Sequence, residues 1–208
     1  MLAGLWAGWH GIRHLEQRGY IYIWGNLLWF ALSLPLVTAP AAWAGLMHLS
    51  YVAHRRPDVN LDAFWEGFRA NFRQSLVLGV FNVIVIGVNV VNIWGTQQQS
   101  GLGYDLLRAL WLLVLAFWIT LQLYVWPLYY AMEQPGLAGA LKNAAVMIVL
   151  NPLFALGLWL WLALMIAFSM IFFIAWVLLT GGALAAVINS AVLDRLNRAG
   201  YQQVQLES

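Results

Sequence analysis

From Asn143 to Val192 no residue carries a charge. One helix cannot use so long a run, because about 20 residues suffice to cross the apolar part of a bilayer. Two crossings must be folded here, over roughly 152–172 and 174–194. No polar loop divides them, so the turn between them is tight. Gly181-Gly182 is an alternative place for that turn, or for a kink. Two more uncharged stretches behave alike, Gln74 to Gln99 and Ala109 to Met132. They predict crossings over 75–94 and 108–131, joined by the polar, Gly-containing segment 95–103.

Composition agrees. The 208 residues are 63% hydrophobic and 9% charged, where a soluble domain carries about 25% charged residues. Most of the surface therefore faces something other than water. The length fits a single membrane domain. The chain has no cysteine, which excludes disulfides and thiolate metal sites. A net charge of +2 gives no basic patch, so nucleic acid is not an expected partner. With 13 Trp, 8 Tyr and 10 Phe, the chain is rich in rings that anchor at the membrane–water interface.

The amino-terminal part is harder to read. In residues 1–19, Leu2, Leu5, Trp6, Trp9, Ile12 and Leu15 recur at helical spacing, which predicts a helix lying in the interface. Residues 20–38 are expected to make the first crossing. Pro35 and Pro40 each remove a helical hydrogen bond, so this helix is expected to be broken and then to continue to His54-Arg55-Arg56. Residues 58–73 predict an amphipathic elbow capped by Asn60. Phe64, Trp65, Phe68 and Phe72 form its apolar stripe, directed toward the membrane interface. A second elbow is expected over 136–150. The fold class is all-α, a polytopic membrane bundle of about five crossings.

Charge placement sets an expected orientation. Arg55, Arg56, Arg69, Arg73, Lys142, Arg195 and Arg198 fall on one side of this scheme, and Arg13, Arg18 and Arg108 on the other. By the positive-inside rule the larger group is cytoplasmic. The amino terminus is then outside, the carboxyl terminus inside, and the expected location is the cell membrane.

The residues Asn26-Leu27-Leu28-Trp29, Ser33-Leu34-Pro35-Leu36-Val37-Thr38 and Pro40-Ala41, followed by Phe68-Arg69-Ala70-Asn71-Phe72, resemble the YesL-like integral membrane proteins, a family of unknown function. The resemblance marks Asn26, Pro35, Thr38, Pro40, Phe68, Asn71 and Phe72 as its motif positions. It implies about five crossings, no known enzymatic activity and an association with carbohydrate-uptake systems. It supplies no catalytic residue.

No nucleophile–base arrangement, HExxH or phosphate loop occurs. No catalytic or metal site is expected and no cofactor is predicted, although bound lipids are. Asp58, Asp62 and Glu66 could hold a hard cation, but they suit the solvated face of the elbow better. His48 or His10 could ligate a haem or pigment, against the plainer reading of a water-facing imidazole. On the second crossing Asn71, Ser75, Asn82, Asn89 and Asn92 fall within about 100° of arc. Together with Gln122 they form either the wall of a polar path or interhelical hydrogen bonds. Gly181, Gly182, Ala185 and Ala186 form a small-residue face for close helix packing, within the chain or between copies. Two functions follow as expectations: a non-enzymatic subunit docking with other integral membrane proteins, or a permease-like component of a carbohydrate-uptake system.

Overall fold

The computed structural model describes residues 2–172, 174 and 176–200. They form a helical membrane bundle, without strands among the described residues: α1 (Leu2–Gln17), α2 (Gly19–Ser33), α3 (Ala39–Ala53), α4 (Asp62–Ala70), α5 (Phe72–Gly95), α6 (Leu102–Ala131), α7 (Leu137–Leu150), α8 (Pro152–Ile171), a π-helical turn (Trp176–Thr180) and α9 (Gly181–Arg198). Residues 173 and 175, at the expected junction of the last two crossings, lie outside the described residues, as does the end of the polar tail.

Four helices are long and apolar enough to cross a membrane: Phe72–Gly95, Leu102–Ala131, Pro152–Ile171 and Val177–Arg198. The crossing expected over 20–38 is not among them. α2 has 15 residues, about 22 Å at the helical rise, and the chain then reverses. Tyr22 Oη lies 3.2 Å from Ser50 Oγ, and the rings of Trp29 and Trp43 are 6.0 Å apart. These pairs make α2 and α3 an antiparallel hairpin. The prolines do not break a continuing helix. Pro35 lies in the turn between α2 and α3, and Pro40 occupies the first turn of α3, where a missing N–H costs nothing. Leu36 takes a left-handed backbone, φ 57°, and Thr38 Oγ1 donates to Leu32 O across the turn.

α1 also departs from expectation. Its small residues Gly4, Ala7, Gly8 and Gly11 are the buried ones, while Leu2, Trp6 and Trp9 point outward. A Cβ on Gly11 would stand 2.6 Å from Val187 Cα, so only glycine lets α1 approach α9 this closely. Trp161 Nε1 donates to Leu5 O at 2.8 Å, and Ser190 Oγ to Ala7 O at 3.1 Å. The helix is packed into the bundle against α8 and α9 and does not merely rest on the interface.

The elbow stripe faces protein as well. Phe64 is fully buried, and Gly45 of α3 packs against Phe64 O and Phe68. Asp62, Glu66, Arg69 and Arg73 are exposed. Asn60, two residues before the helix, accepts at Oδ1 from Asp62 N at 3.0 Å, while the cap position is Leu61. Finally, Arg18 Nη1 donates to Arg56 O. The end of α1 therefore lies beside Arg55 and Arg56, not across the bilayer from them, and the expected opposition of these charges fails.

Candidate functional site

The polar positions of α5 meet α6 across an antiparallel seam. Tyr129 Oη donates to Gln74 Oε1 near one end. Two turns along α5, Asn82 Nδ2 donates to Gln122 Oε1 at 3.2 Å, and Trp118 Nε1 donates to Asn82 Oδ1 at 3.0 Å. The next pair in this register is Asn89 with Trp111. Both Asn89 Oδ1 and Trp111 Nε1 are buried without a hydrogen-bond partner, and Asn89 Nδ2 turns to its own helix, to Val85 O at 2.8 Å. Asn92 does the same toward Val88 O at 2.7 Å. Apolar α5 forces this arrangement, since an amide directed at lipid would leave its hydrogen-bonding groups unmet.

Beside the seam is a cavity of about 340 Å³ lined by Ser75, Asn82, Gln122, Trp43, Trp126 and Pro40. Ser75 Oγ donates to Phe72 O at 2.9 Å. Gln122 Nε2 is buried and has no hydrogen-bond partner. The lining is neutral, with two aromatic walls and free amide donor capacity. Asn71 is not part of it. Its Nδ2 donates to Gly67 O at 3.0 Å and reaches Tyr130 Oη at 3.5 Å, so it fastens the α4–α5 corner to α6.

Asn26 carries a different role. It is fully buried in α2, and its side chain enters the π-helical turn, where Nδ2 donates to Val177 O at 2.6 Å. A π turn leaves backbone groups out of register, and a side-chain amide can supply both missing partners. Gly181 and Gly182 pack here: a Cβ on Gly182 would lie 2.8 Å from Tyr22 O. Ala185 and Ala186 are buried on the same helix, Ala186 beside Tyr22 and Ala53. The small-residue face is thus used within the chain.

Residues 22–93 match a family described as a protein of unknown function, DUF624. The match covers about a third of the chain, and over that stretch the chain is similar to the DUF624 family. No curated protein and no solved structure matches the chain. The DUF624 segment holds Asn26, Pro35, Thr38, Pro40, Phe68, Asn71 and Phe72 and the whole polar stripe of α5, in agreement with the YesL-like resemblance. Gln122, Trp118 and the π turn lie outside it, so Asn82 and Asn26 bond partners from the rest of the chain, whereas Asn89 and Asn92 bond within the matched segment.

His48 Nδ1 donates to Ala63 O at 2.7 Å, which ties α3 to α4, and its ring lies 4.8 Å from that of Tyr130. His10 is exposed, 5.9 Å from the Trp6 ring. Among the described residues no group of three or more His, Cys, Asp or Glu could hold a metal ion. One cluster was missed in the sequence because its members are far apart. His14 stacks on His54 with centroids 3.8 Å apart. His14 Nε2 donates to Ala53 O at 3.1 Å, which leaves Nδ1 to accept from Tyr22 Oη at 3.1 Å. His54 Nδ1 donates to Ser50 O at 2.8 Å, and its Nε2 is enclosed without a partner. Burial, reinforced by His14, pushes His54 down to about 3. Burial also lowers His14, and the nearby Arg18 adds to this.

Proposed function

We propose that this chain is a non-enzymatic subunit of a larger membrane assembly, docking with other integral membrane proteins through the outer parts of α5 and α6. The observation that carries the reading is the closed seam: Asn82 is bonded to Trp118 and Gln122, and Asn89 and Asn92 bond their own helix. Asn82 used this way is interhelical glue, and Asn89 and Asn92, turned back on α5, supply no continuous polar path. Meanwhile Val83, Val91, Trp94, Leu106 and Leu113 stand exposed on the two helices. Such apolar faces suit either lipid or a neighbouring helix. Purification from native membranes in a mild detergent tests the proposal. Partner subunits should co-purify in fixed ratio, and recovery of the protein alone from every preparation counts against it.

The neutral cavity at Trp43, Trp126 and Gln122 favours a second reading, a permease-like component of a carbohydrate-uptake system. Aromatic faces and amide donors are a suitable lining for an uncharged, hydroxyl-bearing solute. Under this reading the purified protein alone binds a sugar, seen as a change in Trp fluorescence that Gln122→Leu abolishes. In either case the cell membrane is the proposed location. The end bearing Arg55, Arg56, Arg69, Arg73, Lys142, Arg195 and Arg198 is placed in the cytoplasm on charge grounds, and the end of α1 goes with it.

A further inference from the structure

The α7–α8 corner lies against the last turns of α9. Between them is a cavity of about 480 Å³, with Asn143, Asn151, Arg195 and Arg198 on its polar side and Met147 and Leu150 on its apolar side. The two sides differ in what surrounds them. Val146 and Leu150 of the cavity lining are exposed, and only lipid or another apolar surface can cover them favourably. The polar side carries excess positive charge. Asp194 pairs with Arg198 at 3.0 Å and answers one arginine. Arg195 lies 3.9 Å from the centroid of the Phe154 ring, and its Nε is buried with no hydrogen-bond partner among the described residues.

A basic pocket whose other wall is exposed and apolar matches a ligand that carries an anion on an apolar body. Guanidinium groups bind phosphate oxygens through paired N–H donors, and basic pockets at the ends of membrane helices take anionic headgroups. We propose that the cavity at the α7–α8–α9 corner is a binding site for the phosphate headgroup of an anionic membrane lipid. Arg195 and Arg198 hold the phosphate, Asn143 and Asn151 donate from the facing side, and the acyl chains run over Val146 and Leu150. A free phosphate ion would share the polar contacts but leave the apolar rim uncovered.

The test uses the full chain in nanodiscs of phosphatidylglycerol and phosphatidylcholine mixed roughly one to four, followed by native mass spectrometry of the lipid it retains. The protein should retain phosphatidylglycerol well above the bulk ratio. The doubly substituted Arg195→Gln/Arg198→Gln protein should lose this enrichment, by about fivefold for each charge removed. Arg195→Lys/Arg198→Lys should keep most of it, and Arg13→Gln, on the exposed face of α1, all of it. Asn143→Asp, at an exposed position, puts a carboxylate at the cavity edge without disturbing the core and should also reduce retention. No enrichment in the unsubstituted protein, or enrichment that survives both the glutamine pair and Asn143→Asp, overturns the proposal. Excess inorganic phosphate should leave the enrichment unchanged. Displacement by it would assign the cavity to free phosphate and overturn the lipid assignment.

Discussion

Gly182 N donates to Asn26 Oδ1 at 2.9 Å across 156 positions of sequence. The same side chain donates to Val177 O, so one amide closes both sides of the π turn. Removing it leaves a buried backbone donor and a buried acceptor unpaired, at about 1–3 kcal/mol for each group. Asn26→Ala should therefore lower the thermal midpoint in detergent markedly, whereas Ser33→Ala, in the last turn of the same helix, should lower it little. Equal, small shifts would show that the π turn does not depend on Asn26.

The seam predicts one coupled pair and one uncoupled pair. Asn82 and Trp118 are bonded, while Asn89 Oδ1 and Trp111 Nε1 are each without a partner. In a double-mutant cycle Asn82→Leu with Trp118→Phe should show a coupling of about 0.6 kcal/mol, the usual size for a membrane hydrogen bond. The cycle Asn89→Leu with Trp111→Phe should show about zero. A coupling at the second pair as large as at the first would mean that Asn89 and Trp111 bond in the membrane.

Acid should loosen the junction of α1 with the α2–α3 hairpin. His54 is held down to about 3 in the fold but titrates near 6.5 when unfolded. Its neutral form thus contributes stability that is complete above about 6.5 and is lost progressively as the pH falls toward 3. His14 acts in the same direction, and Arg18 opposes a second positive charge there. The thermal midpoint should decline over that window. His54→Asn, whose amide can keep the bond to Ser50 O, should decline less steeply. Parallel curves for the two proteins would remove His54 as the cause.

The native chain has no cysteine, so single introduced thiols report sidedness cleanly. Arg18→Cys and Arg56→Cys should behave alike toward an impermeant reagent in intact cells, because these residues touch. Both should be protected, and Gln98→Cys, in the α5–α6 loop, should react. Opposite labelling of positions 18 and 56 would contradict the hairpin, and labelling of both with protection at 98 would invert the orientation.

Much of the bundle is legible in residues that lack charge, because a backbone in lipid has few options besides a helix. The four long apolar helices follow from that. The α2–α3 reversal does not. Its turn contains Leu36 in a left-handed conformation where a glycine would have announced a turn, and prolines alone suit a kink as well as a reversal. α1 was misread because size misleads in a membrane. Trp6 and Trp9 draw attention, but lipid accepts them outside, and the glycines opposite decide the packing. The His14–His54 stack and the grip of Asn26 on the π turn join distant parts of the sequence, and no local pattern carries such pairings.

The docking of α1 on α9 has a consequence for synthesis. Ser190 donates to Ala7 across 183 positions, and Asn26 finds its acceptor in Val177. The first two helices leave the ribosome long before the last, since synthesis proceeds at about 5–20 residues per second. Throughout that interval Val177 O and Gly182 N are not yet there to bond Asn26, and the glycine face of α1 has no α9 to close upon. The amino-terminal elements must therefore be sheltered, by the insertion machinery or by lipid headgroups, until the final helix arrives. A chain released before Gly181 would present an open bundle to the quality-control proteases of the membrane.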